Sequence, residues 1–184
     1  RLAAAETMLV RALAWRSASA PVDAALADPY NNVGLLQNDL GRHAEAEANL
    51  RRAIALHREV AGAETADAAS PLHNLALSLR DQDRLLEARD AATESLRRKR
   101  ASSTRAASLA STLAVLANIE RELGQLDEAL AHSTESLALR RQVYGNDSPM
   151  LSSGLVTQAR VLAELRRDSE AIALLDEAID LHAR

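Results

Sequence analysis

The sequence predicts an all-α fold, a solenoid of antiparallel helix pairs, on three observations. Ala and Leu dominate the apolar residues, aromatics are 2% of the chain and Phe is absent, which suits close helix packing and not a β-sandwich built on branched and aromatic side chains. Ala recurs in one helical context at Ala5, Ala46, Ala88, Ala129 and Ala171, spaced 41, 42, 41 and 42 residues apart, a register that an internal repeat maintains. The six Gly and four Pro fall between the periodic segments, where they separate helices instead of breaking them.

Each unit resolves into two helices. Seven residues after each recurring Ala stands a second small residue, Ala12, Ala53, Ser95, Ser136 or Ala178, followed by Leu13, Ile54, Leu96, Leu137 or Ile179. Seven residues are two helical turns, so both small sites share a face that another helix can approach closely. This is helix B. Upstream, Gly34, Ala76, Ala117 and Ala159 follow Tyr30, Leu72, Leu113 and Leu155 by four residues and mark helix A.

Gly41 and Gly124 stand where helix A ends in the left-handed region. Asp83 and Arg166 occupy the same place in the other units, so those turns are expected to be distorted or longer. Ser148-Pro149 reads as an N-cap followed by Pro at the first helical position, and Asp28-Pro29 and Ser70-Pro71 offer the same chemistry. The expected organisation is one solenoid, cut from a longer chain: a half repeat with helix B only at 1–20, then repeats at 21–64, 65–104, 105–146 and 147–184. Ala92, Ser133 and Gln158 replace larger apolar residues, which predicts looser packing in the second to fourth repeats.

Small residues within helix A and twice in helix B, with Gly at the turn between them, resemble the tetratricopeptide repeat (TPR). The longer period, Gly145-Asn146-Asp147-Ser148-Pro149, Asn31-Asn32-Val33-Gly34 and Leu72-His73-Asn74-Leu75-Ala76 resemble its kinesin light chain-like subtype over nearly the whole chain. That resemblance implies a right-handed superhelical solenoid (alpha-alpha superhelix) and a protein-binding scaffold whose A helices line a concave groove.

Counting from the small site of helix A, the groove-facing residues are Asn31, Asn32, Leu35, Asn38 and Asp39, then His73, Asn74, Leu77, Arg80 and Asp81. They continue as Ala114, Val115, Asn118, Arg121 and Glu122, then Val156, Thr157, Arg160, Ala163 and Glu164. Asn offers both donors and an acceptor to a peptide backbone, and the resemblance implies a clamp at Asn31, Asn32, Asn74 and Asn118. Arg80, Arg121 and Arg160 suit carboxylates, or pair with Asp81, Glu122 and Glu164 beside them. The expected peptide-binding set is therefore Asn31, Asn32, Asn38, His73, Asn74, Arg80, Asn118, Arg121 and Arg160. The expected partner is an extended protein segment with acidic side chains or a C-terminal carboxylate.

Other classes are disfavoured. A net charge of −4 and few aromatics argue against nucleic acid, and no apolar run is long enough to insert in a membrane. The run Arg97-Arg98-Lys99-Arg100 with Arg105 suits the C-terminal end of a helix dipole. The five His form no metal-binding pair, and Cys is absent. Ser133 and Ser136 occupy packing sites and no nucleophile elbow exists, so no enzyme and no cofactor are expected. Trp15 and Tyr144 are expected to plug gaps between units. Lys99 is the only lysine among many arginines, which implies a GC-rich bacterial genome, and a reducing cytoplasm is the expected setting. The alternatives are a structural solenoid that self-associates through its exposed ends, or a sensor module of a larger enzyme or signalling protein.

Overall fold

A computed structural model describes residues 2–19, 24–62, 65–102 and 104–183, with side chains in the first helix described at residues 7, 8, 10–15 and 18. The helices are α1 (Leu2–Ser19), α2 (Ala27–Asp39), α3 (His43–Ala61), α4 (Ala69–Arg80), α5 (Leu85–Ala101), α6 (Ala106–Glu122), α7 (Leu126–Tyr144), α8 (Ser152–Glu164) and α9 (Asp168–Ala183), and no strand occurs among the described residues. They form two compact units, Arg1–Ser102 and Ser103–Arg184. The first holds α1 and the hairpins α2–α3 and α4–α5. The second holds the hairpins α6–α7 and α8–α9.

The four hairpin turns are alike. Gly41 and Gly124 have φ of 73° and 76°, and Asp83 and Arg166 adopt 59° and 62°. The N–H of Gly41 donates to Asn38 O at 2.9 Å and that of Arg42 to Gln37 O at 2.8 Å; Asp83 and Arg84 repeat this at 2.8 and 2.9 Å. The expected distortion at Asp83 and Arg166 is therefore absent. The turn closes on the same carbonyls and each side chain carries left-handed strain of about 1–2 kcal/mol.

The entry to helix A departs from expectation. Ser148 does cap, its Oγ accepting the Met150 N–H at 3.3 Å ahead of a 3-10 turn at Pro149–Leu151. Thr65 does the same for Asp67 before Ala66–Ala68. Asp28-Pro29 and Ser70-Pro71 instead lie inside the first turns of α2 and α4, whose N-cap residues Leu26 and Ala68 make no side-chain cap bond. Pro is tolerated there because the first N–H groups of a helix have no carbonyl to reach within it.

The core sits where A and B helices cross. Ala46, Ala88, Ala129 and Ala171 are buried, as are Ala76, Ala117 and Ala159. The Ala5 side chain lies outside the described residues, and Ala12 is exposed. Where the second small site is Ser, the hydroxyl finds a partner: Ser95 Oγ donates to Ala69 O at 2.6 Å and Ser136 Oγ to Ala110 O at 2.7 Å. At Gly34 a Cβ would lie 2.6 Å from Leu50 Cγ. In the next two repeats Ala76 and Ala117 add the methyl that Gly34 lacks, while Ala92 and Ser133 stand in register with Leu50. Both are fully buried. Helix A regains only a methyl at these sites, less than the bulk that Leu50 has beyond Ala92 or Ser133. Gln158 replaces an apolar contact with a hydrogen bond to Thr134 Oγ1 at 2.9 Å. Trp15 and Tyr144 plug no gap, being 76% and 37% exposed.

Successive hairpins are joined differently in the two units. In the first, buried Glu47 accepts both carboxylate bonds from Arg84 at 2.7 and 2.8 Å and one from Gln82 at 3.1 Å. Burial opposes the charge on Glu47, but those bonds and the neighbouring Arg51 outweigh it and hold its pKa below the usual value. In the second, the residue in register is Leu130, packed on Ala159, Leu162 and Ala171.

Gly34→Ala is expected to destabilise the chain by about 1–3 kcal/mol through overpacking against Leu50. Adding Leu50→Ala, which recreates the Ala76 and Ala92 pairing, is expected to cost less than the sum of the two single changes, measured by urea midpoints in a double-mutant cycle.

Candidate functional site

The A helices of each unit form a wall, and side-chain bonds across it show which predicted residues meet. In the first unit Asn74 Nδ2 donates to Asn31 Oδ1 at 2.9 Å, and Asn38 Nδ2 donates to Asn74 O at 3.2 Å. These three Asn residues therefore tie α2 to α4. Asn74 is buried, and Asn38 Oδ1 is a buried acceptor without a partner. Asn32 is exposed. Arg80 folds onto the adjacent Asp81 carboxylate at 2.8 and 3.2 Å.

His73 is not an open groove residue. Burial first, and the nearby charge of Lys99 second, depress its imidazole to about 4, so it is neutral near pH 7. Burial also lowers Lys99 to about 8. The basic run is structural at its centre: Arg98 is 2% exposed and donates to Glu94 Oε1 and Thr65 O, each at 2.6 Å. Arg97 also bonds Glu94, and the two guanidiniums hold that carboxyl down to about 2 against the cost of its burial.

In the second unit Asn118 Nδ2 bonds Ala114 O within its own helix at 2.9 Å. Arg121 crosses from α6 to α8, donating to Glu164 at 2.6 Å, and also reaches Glu122 at 3.3 Å. Arg160, one step along the same wall, is exposed and has no partner among the described residues. Of the three wall arginines, two are neutralised in place and Arg160 is open.

Sequence reasoning missed two half-buried polar pairs that join helix A to helix B. Asn49 Nδ2 donates to Gln37 Oε1 at 2.8 Å, and His132 Nδ1 meets Glu120 Oε2 at 2.7 Å. Each member of the second pair lies 83 residues after its counterpart in the first, and that spacing was the available signal. Arg-x-x-Glu pairs across the start of helix B, Arg42–Glu45, Arg84–Glu87 and Arg167–Glu170, also recur visibly in the sequence. Among the described residues no three His, Asp or Glu side chains gather as a metal site, and no helix is long and apolar enough to cross a membrane.

Stacked A–B hairpins with a wall of polar A-helix residues define a helical-repeat scaffold. The tetratricopeptide repeat family model matches residues 24–101 and 108–184, and the chain belongs to that family. No curated protein matches it. Among solved structures it is similar to BtubC (BKLC) from P. vanneervenii, at TM-score 0.86 and 21% identity over 99% of this chain and 73% of that one. A Podosopora anserina protein described as a kinesin light chain, with nearly identical TPR-like repeats, gives 0.79 and 18% over 99% and 87%. The apo form of RapI gives 0.84 and 15% over 98% and 64%. These neighbours show the fold, including the kinesin light chain-like repeats that the 42-residue period implied.

The unfolded chain binds a proton at His73 near the ordinary value of about 6.5, whereas the folded chain resists until about 4. Stability carried by neutral His73 is thus complete above the unfolded pKa and declines as pH falls from there towards 4. The urea midpoint is expected to drop from about pH 7 to about pH 5, and His73→Gln is expected to flatten that slope.

Proposed function

We propose that the chain is a non-enzymatic protein-interaction scaffold that captures an extended acidic segment, or a C-terminal carboxylate, on the α6–α8 wall. The observation that carries this reading is Arg160, exposed and without a partner among the described residues, on a wall whose other arginine, Arg121, is paired in place. An open guanidinium presents a fork of donors that matches a carboxylate. Asn118 stands in register with Arg160 on the neighbouring helix, and its Oδ1 serves as an acceptor for a backbone N–H. With its arginine-rich composition we place the protein in a bacterial cytoplasm.

The probe is an array of acidic peptides of about ten residues, long enough to cross two A helices, each with free and amidated C-termini. Fluorescence anisotropy is expected to show salt-sensitive binding that Arg160→Ala reduces about tenfold or more, as expected for loss of a charged hydrogen bond, and that Arg80→Ala leaves nearly unchanged. Binding unaffected by Arg160→Ala, or no binding by any peptide, would overturn the reading.

A further inference from the structure

Each unit has the same junction between a helix B and the helix A that follows it, bridged by polar side chains in one unit and left open in the other. In the first unit it is a cleft of about 330 Å³ between α3 and α4, lined by Arg51, Ile54, Ala55, Arg58, Leu72 and Leu75. On α7 and α8, 83 positions later, Thr134, Arg141 and Gln158 stand in the places of Arg51, Arg58 and Leu75. There Gln158 Nε2 donates to Thr134 Oγ1 at 2.9 Å, from one helix to the other. Arg141 Nη2 donates to both oxygens of Glu177 at 2.8 Å.

Neither bridge forms in the first unit. Leu75 cannot donate a hydrogen bond, and Arg51 turns to Glu47 and to Glu87, the latter at 3.7 Å. Glu94 stands in register with Glu177, but its carboxylate accepts from Arg97 at 2.8 and 2.9 Å and from Arg98 at 2.6 Å. On α9 those two positions are Asp180 and Leu181, so Glu177 is left to Arg141. Arg58, the counterpart of Arg141, is exposed and has no side-chain partner among the described residues.

The lining says what fits. Ile54, Leu72 and Leu75 make an aliphatic floor, and Arg58 at the rim presents a fork of donors that matches a carboxylate. Apart from the two arginines, no lining side chain can donate or accept a hydrogen bond, so a peptide lying in the cleft would leave its backbone groups without partners. A molecule with one carboxylate and an otherwise apolar body has no such groups to lose. The volume lies at the small end of the range for small-molecule pockets, about 300–1,000 Å³. We propose that the α3–α4 cleft binds a small monocarboxylate with an apolar body, of the class of medium-chain alkyl acids. Its carboxylate meets Arg58 and its chain covers Ile54, Leu72 and Leu75. The site lies wholly within the first unit and does not use Arg160.

The test is methyl NMR of the 184-residue chain titrated with octanoate, octan-1-ol, acetate and a short peptide ending in Leu. Octanoate is expected to shift the methyl signals of Ile54, Leu72 and Leu75 saturably. Octan-1-ol, which lacks the charge, is expected to bind about tenfold or more weakly, and acetate, which lacks the apolar body, is expected to give no saturable shift. Arg58→Gln is expected to weaken octanoate binding about tenfold, and Arg160→Ala to leave it unchanged. Replacing Arg51 by Thr and Leu75 by Gln together rebuilds the bridge seen at Thr134 and Gln158, and is expected to abolish binding with circular dichroism unchanged. Ala55→Leu, which fills the cleft, serves instead if that variant misfolds. Four results would overturn the proposal: no saturable shift with octanoate, octan-1-ol or acetate binding as tightly as octanoate, octanoate binding that responds to Arg160→Ala and not to Arg58→Gln, or tighter binding of the peptide in the cleft. Octanoate binding that survives closure of the cleft would overturn it equally.

Discussion

The close approach of helix A to helix B at paired small residues is the constraint on which the rest of the structure depends. Interiors pack at crystal-like density, so each methyl added on one helix must be removed from its neighbour. Gly34 meets Leu50, whose Cγ leaves no room for a Cβ, whereas the registers of Ala76 with Ala92 and Ala117 with Ser133 set a methyl on helix A against a small residue on helix B. Ser95 and Ser136 enter the same seam because each hydroxyl reaches a carbonyl of the facing helix, at 2.6 and 2.7 Å. A buried hydroxyl without such a partner would cost more than the methyl it replaces.

That spacing also decides where polar groups can sit. The pairs Gln37–Asn49 and Glu120–His132 lie one turn from the seam, while the same register in the intervening repeats is apolar, at Leu79 with Ala91 and Leu162 with Leu174. Polar and apolar hairpins thus alternate along the chain, and each polar pair bonds within its own hairpin. The joints follow a different logic. Glu47 and Arg84 link two hairpins through charge, and Leu130 links two others through apolar contact. A half-buried ion pair of this kind contributes less net stability than its short distances suggest, because Glu47 loses water on burial. It does fix register, since Glu47 satisfies three donors only in one alignment.

Much of this was legible in the sequence, and the failures have specific physical causes. The repeat, the helices and the Gly41 and Gly124 turns could be read because small residues and left-handed glycines have few other uses at fixed spacing. The turns at Asp83 and Arg166 could not, since hydrogen bonding at the helix end overrides the residue's own preference. Asp28-Pro29 and Ser70-Pro71 imitate a cap, but a 3-10 turn moves the true start upstream to positions such as Thr65. The wall residues were placed on the right face, yet whether they are open depends on one-residue offsets between neighbouring helices. Asn31 meets Asn74 and Arg121 meets Glu164, each across 43 residues, whereas Arg160 has no partner among the described residues.

Native-state hydrogen exchange, read amide by amide, tests the central role of the helix seam most directly, because local stability follows the density of buried contacts. The account predicts the slowest exchange at the crossing segments 46–53, 88–95 and 129–136, with faster exchange along α9, whose outer face is exposed. Protection that is uniform along each helix B, or greatest in α9, would contradict it.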